Sequence, residues 1–169
     1  MLKNKIHNIL FIILPFIIAI PLHFIYTYIP FPLLAIYAPI KESVFEHIKL
    51  TFTPIIITYL LLYFLNKKLI NKEKYLSSLI ISIITSIVSM LVLYYICFSI
   101  FQKDIVIVSI LTLLIATFIG QILGTYTYKK DVKWSIDISI YTLLTLTLVL
   151  LLLTINPPNT DFFIDKSSK

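Results

Sequence analysis

One short segment holds most of the residues that could do chemistry. Between Pro39 and Lys49, five of the eleven positions are ionisable, in a chain that otherwise keeps its charges in short stretches between apolar blocks. If this segment opens a helix, Glu42 and Glu46 lie on the same face, because residues four positions apart are neighbours on a helix. Two carboxylates in this arrangement could form an acid–base pair or bind a divalent metal ion.

Two histidines extend this cluster. His47 belongs to the same segment, and His23 lies inside an earlier apolar block. The distance from His23 to the end of that block is about six residues, or roughly 9 Å along a helix. If the next helix begins near Pro39, His47 lies at about the same depth as His23. We therefore predict one catalytic site with four members: Glu42, Glu46, His47 and His23.

The sequence supports two chemical versions of this site. In the first, a divalent metal ion is bound by His23, Glu46 and His47 and activates water. In the second, Glu46 acts as the base without a metal, Glu42 assists it, and the imidazoles carry protons. Glu46 and His47 are adjacent and point about 100° apart on a helix, so they cannot both lie centrally on one face. The cofactor is therefore left open, with a divalent metal as the candidate.

Structural roles compete with these assignments. Ser43 and Glu46 form the pattern S-x-x-E before an apolar run, which is typical of a helix capping box. Lys49 could neutralise Glu46 or extend its charge toward the membrane interface. Capping explains one carboxylate and one hydroxyl but leaves Glu42 and the histidines unexplained. Because ionisable groups at membrane depth are costly, the cluster indicates a functional site.

The elements that position these residues are apolar helices. Hydrophobic residues make up 59% and charged residues 13% of the 169 positions, which excludes a water-soluble protein. A helix needs roughly 20 apolar residues to cross a membrane. Five blocks meet this condition and leave no room for a soluble domain. They predict a single all-α transmembrane domain, residues 1–169, with helices over 9–29, 44–65, 76–101, 105–128 and 134–155.

The lysines predict the orientation and the cellular compartment. All fourteen basic residues are lysines, and nine fall on the side of the N-terminus when the five blocks alternate across the membrane. Because positively charged loops stay in the cytoplasm, we expect the N-terminus inside and a tail, residues 156–169, outside. Lysines spread in this way hold loops in place and predict no nucleic-acid partner. The arginine-free, isoleucine-rich composition indicates a bacterial protein, and hence the bacterial cytoplasmic membrane.

The only two glycines suggest how the helices pack. Gly120 and Gly124 form a G-x-x-x-G pattern in the fourth block, and the third block carries serine and threonine at helical spacing. Small residues let helix backbones approach closely within lipid. The pattern predicts packing inside the bundle, and the alternative is a homodimer or another membrane-protein partner that contacts Gly120 and Gly124.

Prolines and the tail could shape the surroundings of the polar cluster. Pro15, Pro21 and Pro54 each remove a backbone donor and kink a helix, which could open a vestibule beneath the cluster. The tail, 156–169, emerges on the same side. It could fold back over the cluster as a lid or extend freely.

The segment Ala38–Lys49 resembles the signature of an uncharacterised family of small bacterial membrane proteins, with the approximate motif P-x-N-E-S-V-W-E-H-x-K. The segments His23–Tyr26 and Asn156–Pro158 are also similar to that family, and the resemblance spans most of the chain. Lys41 stands where the family usually has asparagine, and Phe45 where it usually has tryptophan. The resemblance implies a multi-helix membrane protein with no established activity.

Three functions therefore remain open. The first is a membrane-embedded enzyme at the outer leaflet, dependent on a metal or on acid–base catalysis. The second is a solute carrier or a transporter subunit, because proline-broken helices and buried carboxylates build transport sites. The third is a non-catalytic partner or sensor subunit whose polar cluster binds a protein or a lipid head group.

Overall fold

The computed structural model describes residues 5–165, with side chains from Phe11 onward. Every regular element in this range is a helix, and five helices are long and apolar enough to cross a membrane. Each predicted helix agrees with an observed one to within four residues at either end, so the predicted five-helix bundle is confirmed. In chain order the helices are α1 (Lys5–Tyr28), α2 (Leu34–Tyr37), α3 (Val44–Asn66), α4 (Lys72–Phe101), α5 (Val106–Lys129) and α6 (Ile136–Ile155).

Short polar residues begin three of the long helices. Ser43, Asn71 and Ser135 each accept a hydrogen bond from the backbone N–H three residues later, which satisfies one of the unpaired donors of a first helical turn. Gln102 ends α4 in the left-handed conformation, with a φ of 53°. Because only four residues then separate α4 from α5, these two helices form an antiparallel hairpin.

The two glycines of α5 allow the two helices of this hairpin to pack closely. A Cβ at Gly120 would overlap Ser86 Oγ, and a Cβ at Gly124 would overlap Ser82 Oγ. Ser78 Oγ also donates a hydrogen bond of 2.7 Å to the carbonyl of Gly124. Both glycines are buried inside the bundle, as the internal-packing interpretation predicted. Both glycines are covered by α4 within one chain, and nothing in the structure supports the alternative contact with a second copy through Gly120 and Gly124.

The remaining helices surround this hairpin. α1 packs against α3 and α5, α3 also contacts α4, and α6 lies against α4. Since the long helices alternate in direction, two connecting segments and the tail lie at one end of the bundle. We name this the tail end, defined by the loop 29–43, the turn 102–105 and the tail 156–165.

The described part of the tail folds back onto the bundle. Phe45 N–H donates a hydrogen bond of 3.1 Å to the carbonyl oxygen of Phe162. Phe163 is buried, and its ring centroid lies 4.9 Å from that of Phe45. The folded-back arrangement therefore holds for residues 156–165, and the last four positions of the predicted tail lie outside the described residues.

Candidate functional site

Three of the four predicted site residues come together at the tail end. His23 lies in the last two turns of α1, Glu42 precedes α3, and His47 lies in the first turn of α3. Glu42 stands between the two imidazoles. His23 Nε2 is 3.1 Å from Glu42 Oε1, and His47 Nε2 is 3.8 Å from Glu42 Oε2. We name these three residues the carboxylate–imidazole group.

The hydrogen-bond partners of the two imidazoles indicate which ring nitrogens carry a proton. His47 Nδ1 lies 2.8 Å from the carbonyl oxygen of Ser43, which can only accept, so Nδ1 carries a proton. A charged Glu42 carboxylate also only accepts, so His23 Nε2 donates to it. The opposite nitrogen, His23 Nδ1, is buried and has no hydrogen-bond partner among the described residues.

The hydrogen bond from His23 holds the pKa of the Glu42 carboxyl below its ordinary value of 4.5, because it favours the charged form. Partial burial opposes this effect, and the positive charge that either histidine can carry adds to it. Since the pKa is lower in the folded state than in the unfolded chain, the interaction stabilises the fold above pH 4.5. That stabilisation is lost as the pH falls through the folded-state pKa.

We expect the Glu42 carboxyl to titrate below pH 4.5 in the wild type and at a higher pH in the variant His23→Gln. Carbon-13 NMR of glutamate-labelled protein in micelles measures this directly, because the chain has only three glutamates and Glu42→Gln assigns the signal. His47→Gln is the matched control, and its upward shift should be smaller because Nε2 of His47 lies farther away. Identical titration curves for the wild type and His23→Gln would contradict the assignment.

Glu46 does not join the carboxylate–imidazole group. Its carboxylate is buried and accepts hydrogen bonds from Lys49 Nζ at 2.8 and 3.0 Å and from the backbone N–H of Ile40 at 2.9 Å. Lys49 Nζ also donates to the carbonyl of Ala35 at 2.6 Å. The common site of four residues that we predicted is therefore not found: adjacent residues on a helix point in different directions, and His47 faces Glu42 while Glu46 faces Lys49.

A cavity of about 560 Å³ adjoins the carboxylate–imidazole group. It lies between α1, α3 and α5, and its walls are mainly apolar. This volume is in the range of sites that bind small organic molecules. Its lining includes all three members of the carboxylate–imidazole group and, among the apolar residues, Phe16, Ala19, Ile20, Phe24, Leu50, Val106, Ile110 and Leu113.

Tyr94 and Asp104 also line this cavity, and the sequence analysis assigned neither of them to the site. Tyr94, near the end of α4, donates a hydrogen bond of 2.7 Å from its hydroxyl to Asp104 Oδ1, in the turn before α5. The short turn was a usable signal, because it places Asp104 at the same end as Glu42. The packing of α5 beside α1 could not be predicted, and this packing brings Asp104 and Tyr94 to the cavity.

The three predicted metal ligands are likewise separated in the structure. Of the three predicted ligands, His23 and His47 lie at the cavity, whereas Glu46 is paired with Lys49. Among the described side chains, those of residues 11–165, no three histidines, cysteines, aspartates or glutamates are arranged to hold a metal ion. The described residues therefore do not fit the proposed set of His23, Glu46 and His47 as ligands of one ion.

One known protein family matches almost the whole chain. The model of the family described as "Family of unknown function (DUF6512)" matches residues 2–169. The chain belongs to this family. The resemblance noted from the segment Ala38–Lys49, to an uncharacterised family, is thereby confirmed. Neither the curated proteins nor the solved structures contain a significant match. Five apolar helices are compatible with a multi-pass membrane protein of this family, and its activity has to be inferred from the site.

Proposed function

We propose that this protein is a membrane-embedded enzyme that binds an amphipathic, lipid-like molecule in the cavity and acts on its polar head by acid–base chemistry. The observation that carries the proposal is the continuity between the two parts of the site. Apolar walls from α1, α3 and α5 lead directly to a carboxylate held between two imidazoles. A molecule with an apolar chain and a polar head matches both parts at once.

The distribution of lysines supports a location at the outer leaflet of a bacterial cytoplasmic membrane. Nine of the fourteen lysines lie at the end of the bundle opposite the tail end or in the N-terminal segment that precedes α1. Positively charged segments stay on the cytoplasmic side. The N-terminus is then inside, and the tail end, with the carboxylate–imidazole group, is outside.

Exposed apolar side chains at the cavity support entry from the lipid. Ile20, Phe24, Ile110 and Val106 line the cavity and are about half-exposed or more, so this apolar wall is not covered by other helices. A cavity with an uncovered apolar wall can admit an apolar chain sideways from the bilayer. Its substrate therefore need not cross water to reach Glu42.

The carboxylate–imidazole group supplies a base with a defined charge. Glu42 is ionised at neutral pH, since the ordinary pKa of its carboxyl is 4.5 and the hydrogen bond from His23 lowers that pKa further, and its side chain is partly exposed at the cavity. It can accept a proton from the polar head of the substrate, and His23 Nε2–H stabilises its charge in the resting state. His47 is oriented by its bond to the Ser43 carbonyl, so that Nε2 is the nitrogen that faces Glu42 and can carry the proton onward.

The test uses purified protein in nanodiscs prepared from a total bacterial lipid extract. Mass spectrometry follows the lipid species over time, with empty nanodiscs as the blank. We expect one lipid class to be converted, and we expect Glu42→Gln to slow the conversion by about 100-fold or more, as for loss of a general base. Glu73→Gln is the matched control, because Glu73 lies in the first turn of α4, at the end of the bundle opposite the tail end.

Two results would overturn this proposal. The first is conversion that proceeds at the same rate in Glu42→Gln as in the wild type. The second is the absence of both conversion and bound amphiphile in the wild type, since the cavity would then have no lipid-like ligand. Equal losses in Glu42→Gln and Glu73→Gln would also reject it, because the effect would not depend on the cavity.

A carrier is the second candidate, and buried polar groups in the other half of the bundle favour it. Gln121 is fully buried, and neither atom of its amide has a hydrogen-bond partner among the described residues. The hydroxyls of Thr58 and Thr125 are also buried without a hydrogen-bond partner among the described residues. These groups could continue a polar route from the cavity. A carrier predicts flux of a labelled amphiphile across proteoliposomes that Gln121→Leu reduces, whereas an enzyme of the kind proposed shows conversion without flux.

A further inference from the structure

Two polar side chains in the core of the bundle are buried without a hydrogen-bond partner. Gln121 on α5 and Thr58 on α3 are both fully buried. Neither the two amide atoms of Gln121 nor the hydroxyl of Thr58 has a partner among the described residues. Buried polar groups are nearly always bonded to protein or to ordered water, because an unpaired group keeps the full cost of its desolvation. These atoms therefore indicate a binding partner of their own.

Contacts between α3 and α5 show which of their residues share a depth. Leu50 packs with Leu113. Further along both helices, the Tyr59 hydroxyl lies 2.9 Å from the position that a Cβ would take at Gly124. Since α3 and α5 run in the same direction, residues between these two contacts correspond in order. The unpaired hydroxyl and the unpaired amide each belong to a residue shortly before the second contact, so they lie at about the same depth.

Both side chains point into the space between α1, α3 and α5. With about 3.6 residues per turn, the direction of Thr58 lies between those of Leu50 and Tyr59, and both of these contact α5. Gln121 follows Gly120, which contacts α4, so it is turned by about 100° from that contact. Because Gln121 is fully buried, it points toward α1 and α3, the other helices that pack against α5.

Helix α1 contributes a third polar group at this depth. Pro15 is buried and has no N–H, so it cannot donate the helical hydrogen bond to the carbonyl of Phe11. The ring centroid of Phe11 lies 5.1 Å from that of Tyr59, which directly follows Thr58. The Phe11 carbonyl therefore lies near the depth of Thr58, on the face of α1 that carries Pro15 and is turned toward the bundle.

The hydrogen-bonding capacity of these groups matches that of water. The Gln121 amide supplies donors and an acceptor, the Thr58 hydroxyl can be either, and the Phe11 carbonyl is an acceptor. A buried water molecule typically makes about three hydrogen bonds to groups of this kind. A metal cation matches them less well, because it binds only the oxygen atoms and leaves the amide N–H groups of Gln121 unpaired.

We infer that an ordered water molecule bridges α1, α3 and α5, bound by Gln121, Thr58 and the Phe11 carbonyl. The packed side chains of Leu50 and Leu113 lie between this water site and the cavity, whose lining they belong to. The water therefore joins the three helices that surround the cavity, below the apolar part of its lining. The inference is independent of the proposed function, since it does not depend on what the cavity binds.

The test is NMR of the full chain in micelles, and it is selective because the chain has only two glutamines. With nitrogen-15 in the glutamine side chains, we expect the Gln121 amide to show cross-peaks to water with opposite signs in NOE and ROE spectra, as for a long-lived bound water. Gln102 is the internal control, because it is exposed and its amide donates to the carbonyl of Ser99. We expect it to show no such cross-peak, and Gln121→Leu assigns the two signals.

Two matched threonine variants locate the water. Thr58→Val keeps the shape of the side chain and removes one partner of the water, so the water cross-peak of Gln121 should be lost. Thr117→Val makes the same replacement at a buried residue one turn from Gln121, whose hydroxyl is bonded to carbonyls of its own helix. This control should keep the cross-peak. Loss of the cross-peak in both variants, or its absence in the wild type, would overturn the inference.

Thermal unfolding of the same samples gives a second measurement. Gln121→Leu should lower the unfolding temperature, because it removes the group that both donates to the water and accepts from it. A higher unfolding temperature than that of the wild type would show an amide with no partner and would reject the water site. A Gln121 signal that shifts with sodium or potassium chloride, but not with choline chloride, would assign the site to a cation and reject it as well.

Discussion

Replacing Lys49 with methionine is expected to lower the free energy of unfolding by about 3–5 kcal/mol, because it leaves a buried carboxylate without its counter-charge. Lys49 and Glu46 are both almost completely buried, and their closest N–O distance is 2.8 Å. The same lysine donates to the carbonyl of Ala35 in α2, and Glu46 accepts from the N–H of Ile40. The pair therefore joins the loop 29–43 to α3, and its loss should also loosen that loop.

Thermal unfolding in a mild detergent measures this effect. The double variant Glu46→Gln/Lys49→Met is the decisive comparison, because it removes both charges while the glutamine oxygen can still accept from Ile40 N–H. We expect it to recover at least half of the loss, as replacement of a whole buried ion pair is often tolerated. Lys103→Met, which removes an exposed lysine at the same end, should have little effect. If Lys49→Met and Lys103→Met unfold at the same temperature, the pair has no structural role.

The ion pair shows which part of the cluster the sequence could predict. The pattern S-x-x-E predicted the cap, and Ser43 Oγ does accept from Glu46 N–H at 3.3 Å. The pattern did not decide the direction of the Glu46 side chain, for which Lys49 was only one alternative. That direction depends on the carbonyl of Ala35, fourteen residues before Lys49, and such a long-range partner leaves no local signal.

The long helices were predictable because each is an uninterrupted apolar block, and membrane thickness sets its minimum length. The short helix α2 was not, because it is one turn within a proline-rich apolar loop and takes its support from elsewhere. Thr53 Oγ1 donates to the carbonyl of Tyr37 at 2.7 Å, and Lys49 donates to Ala35. These donors lie in α3, so α2 depends on the tertiary structure rather than on its own sequence.

The carboxylate–imidazole group was partly predictable from depth alone. His23 was placed about 9 Å from the end of its helix, at the depth of His47. In the structure their ring centroids are 6.2 Å apart. Asp104 and Tyr94 could not be added in the same way, because a block pattern fixes the depth of a residue but not which helices are neighbours. Which helices are adjacent depends on close packing, such as the contact between Gly120 on α5 and Ser86 on α4.

Replacing Phe163 with alanine is expected to destabilise the tail end by about 3 kcal/mol, as for loss of a buried phenylalanine. Phe163 is buried against Phe45, which is itself the second residue of α3 and fully buried. The tail adds the hydrogen bond from Phe45 N–H to the Phe162 carbonyl, which satisfies one of the donors that a helix start leaves unpaired. Loss of the aromatic contact should therefore release the tail and weaken the start of α3 together.

Limited proteolysis and thermal unfolding test this prediction on the same samples. A protease that cleaves after aromatic residues should cut the released tail of Phe163→Ala at Phe162, a bond that the folded-back arrangement protects in the wild type. Ile164→Ala is the matched control: the residue is adjacent and more exposed, so both the cleavage rate and the unfolding temperature should stay near those of the wild type. Because Asp165 follows Phe163 in the tail, its release should also remove a negative charge from the surroundings of Glu42 and lower the pKa of that carboxyl further. A tail that is cleaved equally fast in the wild type and in Phe163→Ala would show that Phe163 does not hold it.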